Sequence, residues 1–185
     1  LGKEEYYRLL NAAVSEKRER LSGILRTIAA TGMRIGELRY LTVETLSRQK
    51  IEIHFKGKQR VILMARSLVI FLRDYCRRNR ITSGIIFATK NGNPVDRRNI
   101  WAEMKELCEP ARVLPSKVFP HNLRHLFARC FYERERDLVR LADYLGHSSI
   151  ETTRRYTMIT SEEACARELE LGLAGNESWG GAEKK

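Results

Sequence analysis

The sequence predicts a mainly α-helical domain with one small antiparallel β-sheet, an α+β fold. Apolar residues recur at helical spacing through most of the 185-residue chain, and one stretch between residues 51 and 63 changes to alternation with polar residues. Hydrophobic residues make up 43% and charged residues 31% of the chain. That balance supports a sizeable globular core and excludes a disordered, collagen-like or coiled-coil chain. No internal repeat or linker divides it.

The first helix is signalled by Tyr6, Tyr7, Leu10, Ala13 and Val14, with Glu4 and Glu5 suited to its N-terminal turn. A second places Leu21, Ile24, Leu25 and Ile28 on one face and breaks at Thr31-Gly32, where Gly32 fits a left-handed cap. A short helix from Arg34 to about Leu41 follows. Ile51, Ile53 and Phe55 then alternate with Glu52, His54 and Lys56. After Gly57-Lys58-Gln59, Val61 and Leu63 alternate again, giving a hairpin with a cationic tip and an apolar face. Residues 67–80 form an amphipathic helix with Leu68, Phe71, Leu72 and Tyr75 inside.

Residues 84–88 read as a short strand, and Asn91-Gly92-Asn93-Pro94 as a turn. Asp96 caps a helix carrying Ile100, Met104 and Leu107, and Pro120 opens one running to about Tyr132. Asp137 starts a helix with Leu138, Leu141 and Leu145 inside and Gly146 just beyond it. Ser148-Ser149-Ile150-Glu151 fits a capping box before a short helix ending near Tyr156. Thr160-Ser161-Glu162-Glu163 fits another before a last helix, and the tail from Gly172 is Gly-rich and polar.

Lys and Arg number 34 against 23 Asp and Glu, a net charge of +11 with His neutral. Such an excess implies a polyanionic partner, most often nucleic acid. No apolar run approaches the ~20 residues that cross a bilayer. No signal peptide precedes the first helix, and a chain opening at Leu1 reads as a segment of something longer. Cys76, Cys108, Cys130 and Cys165 form no C-x-x-C pair and read as free thiols, buried, in a reducing cytoplasm.

Four polar clusters stand apart from ordinary surface. They are the stretch from Thr31 to Leu38, the tip Lys56-Gly57-Lys58-Gln59-Arg60, the run Pro120-His121-Asn122-Leu123-Arg124-His125, and Leu145-Gly146-His147 with Tyr156 nine positions on. Two arginines can each grip phosphate oxygens with a planar fork. His121 and Arg124, spaced i,i+3 on one helix, can reach one point. A lysine on a hairpin tip is a mobile cation or proton donor, and a tyrosine hydroxyl a covalent nucleophile. Together they could cleave a phosphodiester without a metal, the cations stabilising charge on pentavalent phosphorus. His121 and His125 form H-x-x-x-H, but Asn122 stands where a zincin needs Glu, and no third ligand is in view. Gly57-Lys58 lacks the frame of a P-loop.

The strings Ala30-Thr31-Gly32-Met33-Arg34-Ile35-Gly36-Glu37-Leu38, His121-Asn122-Leu123-Arg124-His125 and Leu145-Gly146-His147…Tyr156 resemble the catalytic domain of tyrosine recombinases, which include phage integrases and Xer-type resolvases. The resemblance covers about residues 1–172 and implies the DNA breaking–rejoining fold. It makes Arg34 and Arg124 the clamp on the scissile phosphate, with Glu37 supporting the first. It makes Lys56 the acid that protonates the leaving 5′ oxygen, with Lys58 its rival. His121 becomes the general acid/base, His147 a phosphate hydrogen-bond donor and Tyr156 the nucleophile. Lys58, Arg60, Arg97, Arg98 and His125 are candidate contacts to the DNA backbone, whereas Arg77-Arg78 read as a solvated face.

The implied reaction is strand transfer through a 3′-phosphotyrosine, with no metal, ATP or other cofactor. The implied partner is double-stranded DNA, bound by a homo-oligomer, a tetramer on DNA, with a monomer possible in isolation, and no membrane. The implied location is the cytoplasm, at the nucleoid. Relatives carry an N-terminal core-binding domain that has no counterpart in this chain. Residues 160–173 then dock on a neighbouring copy or pack in cis, and residues 173–185 form a flexible tail. The rival readings are a type IB topoisomerase, with the same tyrosine chemistry, and a catalytically silent DNA-binding module.

Overall fold

The computed structural model describes residues 1–55, 58–89, 91–146 and 153. In chain order come α1 (Lys3–Ser15), α2 (Glu19–Thr31), a 3-10 turn (Ile35–Tyr40), α3 (Val43–Arg48), β1 (Lys50–Phe55), β2 (Lys58–Leu63), α4 (Arg66–Arg78), α5 (Arg97–Glu106), a second 3-10 turn (Pro115–Lys117), α6 (Pro120–Glu135) and α7 (Leu138–Leu145). β1 and β2 pair antiparallel in a two-stranded sheet.

α2 is the central element. It buries residues on every side, among them Leu21, Ile24, Leu25 and Ile28, and packs against α1, α4, α5 and α6. Close approach needs a small residue at Gly23, where a Cβ would lie 2.8 Å from Phe87 Cε1. Thr27 and Thr31 are buried without penalty because their hydroxyls donate to the carbonyls of Gly23 and Thr27. Gly32 ends the helix in the left-handed region at φ +61°, as the sequence predicts, and a Cβ there would run into the Phe127 ring. A smaller apolar cluster joins α6 to α7 through Ala128, Leu141 and Leu145, flanked by Phe127, Phe131 and Tyr132.

The fold departs from the sequence reading in several places. On α1 the buried set is Leu9, Leu10, Ala12 and Ala13, whereas Tyr7 and Val14 face solvent. The segment after Arg34 is a 3-10 turn, and α3 follows it without having been foreseen. Residues 84–88 form no strand, only isolated bridges from Ile85 to Thr42 and from Ala88 to Pro94. On β2 the inward residue is Ile62, opposite Ile51, and Val61 and Leu63 are exposed. Side chains alternate faces along a strand, so a shift of one residue reverses every assignment. The reversal turns Arg60, opposite Ile53, inward as well.

Candidate active site

Arg34 leaves the Gly32 cap in extended conformation and stands just before the first 3-10 turn. That turn brings Glu37 back beneath it. Glu37 accepts the Arg34 backbone N–H at 2.6 Å on Oε2 and Arg34 Nη1 at 3.0 Å on Oε1. Arg60 Nη1 donates to the same two oxygens at 2.7 and 2.9 Å. One nearly enclosed carboxylate thus holds two arginines, of which Arg34 remains half exposed.

Arg124 lies on α6 one turn after His121, and its side chain is enclosed. Its Nη1 donates to the Gly32 carbonyl at 2.6 Å and its Nη2 to the Leu145 carbonyl at 2.7 Å. These carbonyls lie at the C-terminal ends of α2 and α7, where helices leave acceptors unsatisfied and carry partial negative charge. Two helix ends therefore offset the desolvation of one guanidinium and fix its position.

His121 is exposed at the start of α6 and packs edge-on against His125, ring centroids 4.5 Å apart. Burial, then the cations of Arg124 and Arg34, lower the His121 pKa. Burial and His121 push His125 down to about 4. Both rings are therefore neutral at pH 7, and His121 can accept a proton.

Arg34, Glu37, Arg60, Arg97, His121 and Arg124 line one cleft of about 1050 Å³. Arg98 does not line it and instead donates its backbone N–H to the Asp96 cap. One expectation needs correction. Arg60 is not an outward backbone contact: its side chain is 9% exposed and its guanidinium is committed to Glu37 and to the Tyr144 carbonyl. His125 sits half-buried and neutral against His121. Lys56, His147, Tyr156, the Lys58 side chain, Cys165 and residues 160–185 lie outside the described residues. Thr153, near Tyr156 in sequence, is helical and fully buried.

Sequence reasoning missed Arg39 and Tyr40, which also line the cleft. The Arg39 guanidinium lies over the Tyr40 ring at 4.9 Å and donates to its hydroxyl at 2.9 Å. Asp143, on α7, is a further lining residue. The signal for Asp143 was available, because it lies two positions before Leu145 in a recognised cluster. Among the described residues no three His, Cys, Asp or Glu side chains are grouped to hold a metal, and no helix is long and apolar enough to cross a membrane.

Residues 1–163 match the model of the phage integrase family. The tyrosine recombinase XerA of Pyrococcus furiosus is 32% identical over 170 residues, 88% of this chain and 58% of the relative. The tyrosine recombinase XerD of Vibrio cholerae is 30% identical over 148 residues, 75% and 49%. The chain therefore spans about half the length of the curated relatives it matches. Its backbone superposes on the crystal structure of XerA recombinase with a TM-score of 0.75 at 28% identity, covering 96% of this chain and 64% of that one. XerH site-specific recombinase, captured on its difH substrate after cleavage, shares the fold at a TM-score of 0.74 and 24% identity, covering 93% and 53%. The mostly helical domain with its two-stranded sheet thus has the architecture of solved recombinases, and the match over residues 1–163 settles its affiliation: the chain belongs to the phage integrase family.

Proposed function

We propose that this chain is the catalytic domain of a site-specific DNA recombinase or integrase. It cleaves and rejoins double-stranded DNA by transesterification. The observation that carries this reading is the meeting of Arg34, Arg124 and His121 at one cleft, with both arginines anchored from behind. The relatives named tyrosine recombinases and the net charge of +11 support it.

The Tyr156 phenolic oxygen attacks phosphorus, and the bond from phosphorus to the 5′ oxygen breaks. The phenolic proton passes to neutral His121, and Lys56 protonates the departing 5′ oxygen, with Lys58 as the rival acid. Arg34 and Arg124 stabilise the charge that builds on the non-bridging oxygens, usually the largest catalytic term. His147 donates a hydrogen bond to the same phosphate. A 5′ hydroxyl from a second strand reverses the step, so the phosphodiester energy is kept in the covalent link. Free tyrosine has a pKa near ~10, so cations and a base must activate it at neutral pH.

The test uses a pool of nicked duplexes randomised around the nick. Covalent adducts are isolated and sequenced, and the selected duplex serves as the substrate. An adduct that disappears in Tyr156→Phe supports the reading. No adduct, with binding retained, favours a silent DNA-binding module, and relaxation of arbitrary supercoiled plasmid favours a topoisomerase. The active assembly is a tetramer on nucleoid DNA. Residues 160–173 dock on the next copy or pack in cis; unchanged assembly on DNA after removal of the residues beyond Thr160 rejects docking in trans.

A further inference from the structure

We infer that Arg60 is a positioning residue for cleavage: it holds the Glu37 carboxylate that orients Arg34, and it ties the β-hairpin to the end of α7, next in the chain to His147. The inference rests on the recombinase reading and adds to it a residue that acts through another.

Three sets of contacts carry it. The pairing of Ile53 with Arg60 puts the arginine on the inner face of β2. There its Nη1 reaches both Glu37 oxygens at 2.7 and 2.9 Å, while Glu37 Oε1 also takes Arg34 Nη1 at 3.0 Å. Its Nε donates to the Tyr144 carbonyl at 3.2 Å, and its stem fills the space above Gly146, where a Cβ would lie 2.6 Å from Arg60 Cδ. Tyr144 completes the tie, donating its hydroxyl to the Leu63 carbonyl at 2.9 Å. One side chain thus touches the hairpin, the turn that bears Arg34, and the last turn of α7.

Stability alone does not account for such a residue. Exchange of a buried ion pair for packed apolar groups is often neutral or stabilising. Here Arg60 Nη2 is also buried with no hydrogen-bond partner among the described residues, which adds a cost. The charge count gives the functional reason. Glu37 alone would neutralise Arg34, whereas with Arg60 the trio carries a net +1. Arg60 satisfies the carboxylate from the inner side and leaves the charge of Arg34 for a phosphate.

The test measures adduct formation on the selected nicked duplex at saturating DNA, beside DNA affinity and thermal melting. Arg60→Met keeps the stem and removes the charge. It is expected to fold with a lowered melting temperature, since Glu37 and the Tyr144 carbonyl lose a donor, to bind DNA within threefold, and to cleave about a hundredfold more slowly, the scale of a ~1 Å misplacement. Arg60→Lys restores the charge but cannot serve Glu37 and Tyr144 together, so it should recover only part of the rate. It also answers the question if the methionine variant does not fold. In a Glu37→Gln background, Arg60→Met should cost well under a further hundredfold, because only the tie to the Tyr144 carbonyl is left to lose. Parental rates in Arg60→Met or Arg60→Lys, or a full hundredfold loss on top of Glu37→Gln, overturn the inference while the recombinase reading stands. Absence of any Tyr156-dependent adduct in the parent overturns both.

Discussion

About half of the Arg34 side chain meets solvent, whereas Arg124 is enclosed and bonded to two helix-end carbonyls. The same substitution should therefore have different effects at the two positions. Each change to alanine is expected to reduce cleavage by about 2.7–4 kcal/mol of transition-state stabilisation, with a much smaller loss of DNA affinity. Arg34→Ala should leave urea unfolding near the parent. Arg124→Ala should also destabilise the fold by about 1–3 kcal/mol for each carbonyl left unsatisfied. Parallel loss of affinity and cleavage would make the arginines binding groups instead. His125 gives a pH dependence. Its folded pKa of about 4 lies below the ordinary ~6.5, so between these values the unfolded chain binds more protons. The stability due to neutral His125 is complete above pH ~6.5 and lost as pH falls toward 4. His121, once protonated at lower pH, and the positive Leu1 amino group, Arg129 and Arg124 face the ring and deepen the effect. His125→Gln should flatten this slope in denaturant melts from pH 7 to 4; an unchanged slope would assign it elsewhere.

Among the elements, the hairpin shows where patterning stops being informative. Val61-Ile62-Leu63-Met64 is apolar throughout, so alternation does not reveal which parity faces the core. Pairing with β1 decides it, because Ile51 and Ile53 are buried and their partners Ile62 and Arg60 share their face. Ile62→Ala is expected to cost about 2–5 kcal/mol in urea unfolding, whereas Leu63→Ala should stay within ~0.5. The reverse order would restore the alternative register. α2 and α7 were legible because each ends at a glycine with positive φ, Gly32 and Gly146, after a clear apolar stripe. Residues 84–88 misled because a short apolar run carries no information about a partner strand.

Across the whole molecule, a net charge of +11 concentrates into function only where the fold gathers cations. Arg97 lines the cleft with Arg34 and Arg124, whereas its neighbour Arg98 does not. Arg97→Ala should weaken DNA binding across sequences and lower the slope of log K against log salt by about 1, measured between ~50 and 200 mM salt. Arg98→Ala should change that slope less. Equal slopes in the two variants would remove Arg97 from the backbone contacts.

Most of the long helices, the glycine stops of α2 and α7 and the motifs that hold Arg34, Glu37, His121 and Arg124 were written in the sequence, because periodicity, caps and short motifs are local properties; α3 was not. Tertiary structure alone decided which arginine is buried against Glu37 and which stays half exposed at the cleft. That choice depends on strand register and on carbonyls 92 and 21 residues away from Arg124, and no local pattern encodes either. Arg60 and Arg34 are alike in the chain; burial against Glu37 and Tyr144 distinguishes them.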